Sequence, residues 1–135
     1  MKSFLSTCVL FFTFLFSTSC ESSIFDNKNL TVRDVLRVIE EGTSISLRLS
    51  PTLVHIIKGV GGGDVHSDSH DASFEIIKYI SKSDMEYGIY FSMEECHGDT
   101  YKKGWYVFCM KLRYKDTKKI IEFVKPELVY DNPRW

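Results

Sequence analysis

Residues 105–114 read WYVFCMKLRY, and this stretch decides the predicted fold. Every second side chain from Tyr106 to Tyr114 is large and apolar or aromatic. Because a β-strand sends alternate side chains to opposite faces, this spacing predicts a strand with one buried face. The other face begins with Trp105 and Val107 and ends with charged residues, which indicates that it is half covered.

The segment before this strand is predicted to pair with it as an antiparallel hairpin. If Cys96 lies opposite Cys109, the apolar residues of the two segments face one another and Glu94 faces Lys111. Directly opposed side chains interact, and an opposite-charge pair helps modestly. A slip by one residue would bury Glu94 and expose Met93. The cysteines and the apolar pattern therefore favour one register and predict a disulfide between Cys96 and Cys109.

A second turn near Asp116 would make the following segment a third strand, so that residues 87–124 form an antiparallel meander. Lys111 would then lie between Glu94 and Glu122 on the outer face. A solvated charge ladder and a catalytic lysine with carboxylate neighbours both fit this pattern. The ladder is favoured, because exposed ion pairs usually add little stability and carry no chemistry.

The segments before this sheet are predicted to be mainly helical. Thr31 can cap a helix with Asp34 in a capping box, and apolar residues follow at helical spacing until Gly42 ends it. Residues 43–49 fit either a short strand or an irregular continuation of the helix. Residues 50–59 fit a second helix that begins at a Ser-Pro pair.

Residues 74–80 fit either a helix or a strand, and the helix is narrowly favoured. After Pro126, which interrupts pairing, residues 128–130 fit a short edge strand. The whole order predicts an α+β fold, with N-terminal helices packed on an antiparallel β-meander of three to five strands. This layout resembles the cystatin-like or NTF2-like class. The resemblance is in the order of elements and not in any sequence motif, and it does not indicate a function.

The glycine-rich segment from residue 59 to residue 71 has no periodicity and is predicted to be a mobile loop. It concentrates the metal-ligand residue types of the chain, and the candidate ligands are Asp64, His66, Asp68 and His70. Imidazole and carboxylate groups suit zinc or a similar divalent ion. An EF-hand is excluded, since Ser69 stands where that loop needs glycine. A solvated polar loop is favoured over a metal site, because a site needs fixed geometry.

The composition is that of an ordinary globular domain. The chain has 135 residues, of which 44% are hydrophobic, and a formal net charge of −1. There is no basic excess for a nucleic-acid partner. No nucleophile elbow, zinc-protease motif or phosphate-binding loop occurs, so the sequence indicates a non-catalytic protein.

Residues 1–20 are predicted to be a secretory signal rather than part of the domain. Lys2 supplies the positive start, a short apolar run follows, and small polar residues precede Cys20. The run is too short for an ordinary membrane span, and a retained anchor is the less favoured alternative. Residues 21–30 are then expected to form a polar tether, and residues 31–135 a single domain.

The stretch LFSTSC at residues 15–20, followed by ESS, resembles a bacterial lipoprotein signal. The resemblance implies that Cys20 becomes the lipidated first residue of the mature chain and anchors it to a membrane. Ser17 departs from the pattern, because a leucine-like residue is usual there. The cysteine count agrees: with Cys8 removed and Cys20 lipidated, two cysteines are left to pair, as an exported compartment favours. Cleavage after Cys20, which gives an ordinary secreted protein, also leaves two.

Three functional hypotheses follow from these patterns. The first is a lipid-anchored binding protein of the bacterial cell envelope, with an unknown protein or small ligand as its partner. The second is a metal-binding exported module that uses the His66-Asp68-His70 loop. The third is a secreted inhibitor or an immunity-type protein that blocks one partner.

Overall fold

The computed structural model describes residues 24–133, which form an α+β fold as the sequence predicts. The strands are β1 (Arg48–Pro51), β2 (Gly61–His66), β3 (Ser73–Lys78), β4 (Asp99–Lys103), β5 (Tyr106–Met110) and β6 (Glu127–Tyr130). The helices are α1 (Val32–Thr43), α2 (Lys82–Glu95) and α3 (Thr117–Val124), with a 3-10 helix at Val54–Ile57. The strands form one antiparallel sheet in the order β1-β2-β3-β5-β4-β6.

Strand β5 lies inside the sheet, between β3 and β4. Tyr106, Phe108 and Met110 are completely buried and belong to the main hydrophobic core, so the predicted buried face is confirmed for these residues. The strand ends at Met110, four residues earlier than the alternation predicts. Leu112 is half-buried in the turn that follows.

Helices α1 and α3 cover the face of the sheet on which this core lies. The predicted capping box is confirmed, because Thr31 Oγ1 accepts from the Asp34 amide at 3.1 Å and Asp34 accepts from the Thr31 amide at 3.0 Å. The predicted apolar stripe of α1 is buried. Gly42 does not end α1, which continues to Thr43. Its missing side chain makes room for Phe123 of α3, since a Cβ there would lie 2.0 Å from that ring.

The predicted three-strand meander over residues 87–124 is wrong at both ends. Residues 82–95 and 117–124 are helices, so the hairpin register through Glu94 and the ladder through Glu122 do not exist. Ser81 caps α2 by accepting from the Asp84 amide at 3.4 Å. In α3, Ile120 and Val124 are buried at helical spacing.

Helix α2 and the 3-10 helix lie on the opposite face of the sheet from α1 and α3. The alternate residues of β3 and β5 face them, and Ile77 and Val107 line a cavity with residues of α2. The second face of β5 is therefore covered along the strand, and Val107 and Cys109 are buried there.

The segment predicted to be a mobile loop contains β2, and this prediction is wrong for residues 61–66. Gly62 and Gly63 have positive φ angles of 129° and 153°. A Cβ on Gly62 would lie 2.0 Å from the Ile76 carbonyl oxygen, and one on Gly63 would lie 2.3 Å from the Ser50 carbonyl oxygen. The glycines thus allow close approach of β1 and β3, which pair with β2 on both sides.

Three further predictions are corrected or confirmed. Residues 74–80 do not form the narrowly favoured helix, because residues 73–78 are β3. Pro51 ends β1 rather than beginning a helix. Residues 127–130 form the expected short edge strand, β6.

The N-terminal part of the described chain is packed rather than extended. Phe25, which falls in the predicted polar tether, is completely buried and contacts Tyr106 edge-on at 5.8 Å between ring centres. The Lys78 ammonium donates to the Leu30 carbonyl oxygen at 2.6 Å and also to that of Lys28. The predicted signal, including Cys20, lies outside the described residues.

Candidate functional site

An exposed apolar surface lies on α2 and the adjacent 3-10 helix. We call it the aromatic surface and define it by Tyr87, Tyr90, Phe91, Leu53 and Ile56. The exposed fraction is 65% for Tyr90, 68% for Leu53 and 64% for Ile56. Tyr87 and Phe91 are 44% and 40% exposed. Such large apolar side chains are usually withdrawn from water when they are grouped.

The helical spacing of α2 brings the three aromatic residues together. Tyr87, Tyr90 and Phe91 stand three and four positions apart, so they lie on one side of the helix. The Lys58 ammonium, just after the 3-10 helix, lies 4.9 Å from the centre of the Tyr87 ring. This contact places the end of the 3-10 helix beside α2.

Helix α2 is held against the sheet by a glycine contact. Gly88 is the one fully buried residue among the 14 residues of α2, all of which are described. A Cβ at this position would lie 1.8 Å from the Tyr79 hydroxyl. That hydroxyl donates to the Ile57 carbonyl oxygen at 3.2 Å, and burial raises the pKa of Tyr79 to about 12. Tyr79 therefore positions α2 and the 3-10 helix together.

The predicted disulfide between Cys96 and Cys109 is present and fastens the end of α2 to β5. Cys96 follows the last residue of α2, and its amide donates to the Ser92 carbonyl oxygen at 2.8 Å. The bond therefore joins a helix end to a strand, and it is not the cross-strand pair that the sequence predicts. In the sheet, Cys109 lies opposite Thr100 and Glu75.

A cavity of about 50 Å³ lies between α2 and the second face of the sheet. Its walls combine apolar side chains, the disulfide and two carboxylates; the lining residues used below are Ile77, Val107, Phe91, Glu75 and Glu95. Phe91 belongs both to this wall and to the aromatic surface. The cavity therefore adjoins that surface directly.

Glu75 is the charged residue of β3 at this cavity. Burial raises the pKa of Glu75, the Lys111 ammonium at 3.6 Å opposes that shift, and the Asp64 carboxylate adds to it. The Glu75 side chain is still 37% exposed, whereas that of Lys111 is 17% exposed. Lys111 thus pairs with Glu75 rather than lying in the predicted ladder.

The predicted metal ligands lie at the end of β2 and in the turn after it. The Arg48 guanidinium donates to Asp68 at 2.9 Å and lies 3.0 Å from the His66 imidazole. His70 contacts the neighbouring Ser69 hydroxyl at 3.1 Å, and Asp64 is exposed on β2. Among residues 24–133, no three His, Cys, Asp or Glu side chains are grouped closely enough to hold a metal ion. Zinc binding by this loop stays a prediction.

No sequence pattern marks Glu75 or the aromatic surface as functional. In the segment predicted to be a second helix, Val54 and Ile57 are buried while Leu53 and Ile56 are exposed. The signal that could have revealed the surface is the number of apolar residues between residues 53 and 57, which is larger than one face of a short helix can bury.

Comparison of the chain with protein-family models, with curated proteins and with solved structures gives no match. None of the helices in residues 24–133 combines the length and the apolar composition that a membrane crossing requires.

Proposed function

We propose that the protein is an exported, non-catalytic binding domain of the bacterial cell envelope, held at a membrane by a lipid on Cys20. It contacts a protein partner through the aromatic surface. The observation that carries this proposal is the exposure of Tyr90, Leu53 and Ile56 on two elements that pack together. Grouped exposed apolar side chains mark interaction sites in soluble proteins.

The residue types favour a protein partner. Tyrosine and phenylalanine are enriched at protein interfaces, and tyrosine is prominent among residues whose truncation weakens binding most. Tyrosine offers a large contact area and loses little conformational entropy on binding, because its side chain has two rotatable bonds. The neighbouring cavity of about 50 Å³ is far smaller than the 300–1,000 Å³ typical of pockets for drug-sized ligands.

The partner hypothesis is tested by affinity rather than by capture alone. Envelope proteins that bind the immobilised mature chain are purified and titrated against the wild type and against Tyr90→Ser. We expect the variant to lose at least tenfold in affinity, which corresponds to about 1.4 kcal/mol. Lys119→Ser, on α3 on the other face of the sheet, serves as the matched control and should retain wild-type affinity. Equal affinities for wild type and Tyr90→Ser would contradict the proposal.

The same titration separates a general binding protein from an inhibitor. If the purified partner is one dominant enzyme that loses activity in the complex, the protein is a secreted inhibitor or an immunity-type protein.

The proposed compartment is tested by mass spectrometry of the mature N-terminus. A diacyl or triacyl mass on Cys20 supports lipid anchoring. A free N-terminus at Glu21 would remove the lipid anchor and leave an ordinary secreted protein.

A further inference from the structure

The cavity beside α2 has a chemical character that its neighbouring surface lacks. Its lining includes the apolar residues Ile77 and Val107 and the acidic residues Glu75 and Glu95. None of the described lining residues is basic. A site with apolar walls and an acidic end is complementary to a side chain with an apolar stem and a positive head.

We propose that this cavity receives a lysine side chain of the protein partner, while the aromatic surface contacts the apolar residues around that lysine. The inference rests on the proposed function and names the chemistry of the partner. Phe91 places the two contacts side by side, because it lines the cavity and is 40% exposed on the surface.

The size of the cavity favours lysine over arginine. A buried water needs about 10–15 Å³ of such space, so about 50 Å³ admits a compact ammonium and part of its stem. Arginine ends in a wider planar guanidinium. The four-carbon stem of lysine packs along apolar walls while its charged head reaches polar groups.

The charge of α2 adds to this complementarity. The helix carries four carboxylates, those of Asp84, Glu86, Glu94 and Glu95, against the single ammonium of Lys82. Among them, Glu95 lines the cavity together with Glu75 of β3, and opposite charges across an interface favour and orient association. Glu75 already has the Lys111 ammonium at 3.6 Å, and His97 also lowers its pKa, but 37% of the Glu75 side chain stays exposed.

The test uses a small probe on the full mature chain. Nα-acetyl-lysine amide is titrated while the backbone amide signals of Ile77 and Val107 are followed by NMR. We expect saturable shifts at millimolar concentration. Nα-acetyl-norleucine amide, which keeps the apolar stem and lacks the charge, should give none. Nα-acetyl-arginine amide should bind at least threefold more weakly than the lysine probe.

Two variants should move the affinity for the lysine probe in opposite directions. Glu75→Gln removes the acceptor charge and should weaken binding at least fivefold, whereas Lys111→Met removes the competing cation and should strengthen it. Glu95→Gln, on an exposed residue of α2, tests the second carboxylate without changing a packed position. Absence of saturable shifts, equal binding of norleucine, or unchanged affinity in both glutamine variants would overturn the inference.

Peptides selected from a random display library separate this inference from the proposed function. Peptides whose binding requires both Tyr90 of the protein and a lysine of the peptide support the proposed function and the lysine inference. Peptides that need Tyr90 but tolerate replacement of every lysine by norleucine overturn the cavity assignment and leave the aromatic surface standing. Lysine-dependent binding that is unchanged in Tyr90→Ser supports the cavity and overturns the role of the surface.

Discussion

At the scale of single residues, the Glu75 carboxylate is partly buried and therefore only partly hydrated. Its pKa is raised, so the folded chain binds this proton more tightly than the unfolded chain, in which the pKa of glutamate is about 4.3. The favourable contribution of Glu75 is therefore fully present below that value. It is lost as pH rises through the folded pKa.

We predict that the free energy of unfolding of the wild type, relative to Glu75→Gln, falls as pH rises from the unfolded pKa of about 4.3 through the raised folded pKa. Urea denaturation at a series of pH values measures this difference. Lys111→Met removes the basic group that lowers the Glu75 pKa most, the other being His97, so the fall should extend to higher pH in that background. A difference that does not change with pH would contradict the raised pKa.

A second prediction at this scale concerns Gly88. Alanine is normally favoured over glycine in a helix by about 1 kcal/mol. Here its Cβ would overlap the Tyr79 hydroxyl, so we expect Gly88→Ala to destabilise the protein by roughly 1–3 kcal/mol, as overpacking does. Glu86→Ala, on the exposed side of the same helix, should change stability by less than about 0.5 kcal/mol. A stabilised Gly88→Ala variant in urea denaturation would show that α2 is not seated on Tyr79.

At the scale of elements, α1 and α2 differ in how they are held. Helix α1 buries a full apolar stripe and has a complete capping box. Helix α2 buries Gly88 against Tyr79 and is also held at its ends, by the Ser81 cap and by the disulfide. We therefore expect α2 to respond to changes at Gly88 and at its two ends.

For α1, the hydroxyl of Thr31 satisfies a backbone donor in the first turn. We predict that Thr31→Ala costs about 1 kcal/mol of stability, the usual value for a lost N-cap. Thr31→Ser keeps the hydroxyl and is the matched control. Equal denaturation midpoints of the alanine and serine variants would contradict this role.

For α2, we predict that the double variant Cys96→Ser and Cys109→Ser loses roughly 2–4 kcal/mol of stability, as small domains do without a disulfide. Thermal or urea denaturation under oxidising conditions measures the loss. A reductant should destabilise the wild type by a similar amount and leave the double variant unchanged. An unchanged midpoint in the double variant would contradict a stabilising bond.

At the scale of the whole molecule, the sheet determines where stability is greatest. Strands β3 and β5 lie at its centre and are covered on both faces, whereas β6 is a short edge strand. We predict that the amide hydrogens of β3 and β5 exchange most slowly and that those of β6 exchange much faster, since edge strands open locally. Hydrogen exchange followed by NMR checks this order. Equal protection of β5 and β6 would contradict it.

The sequence by itself determined the features whose causes are local. The capping box of α1 needs residues three positions apart, and the large apolar side chains at alternate positions of β5 are a property of that strand alone. The pairing of Cys96 with Cys109 was also predicted from the sequence, although the strand register used to argue for it is wrong, because Cys96 follows the last residue of α2. The α+β class follows from these elements together.

Only the tertiary structure decided β2, α2 and the site. The glycines of β2 carry no side-chain pattern, and their strand exists because β1 and β3 supply hydrogen-bonding partners on both sides. Apolar residues occur at every second position of α2, as they do in a strand. This spacing is compatible with a helix because some of them, such as Tyr87 and Phe91, are exposed to solvent and not packed in a core. Hydrophobic periodicity predicts structure where apolar residues are buried, so it fails where the molecule keeps them exposed.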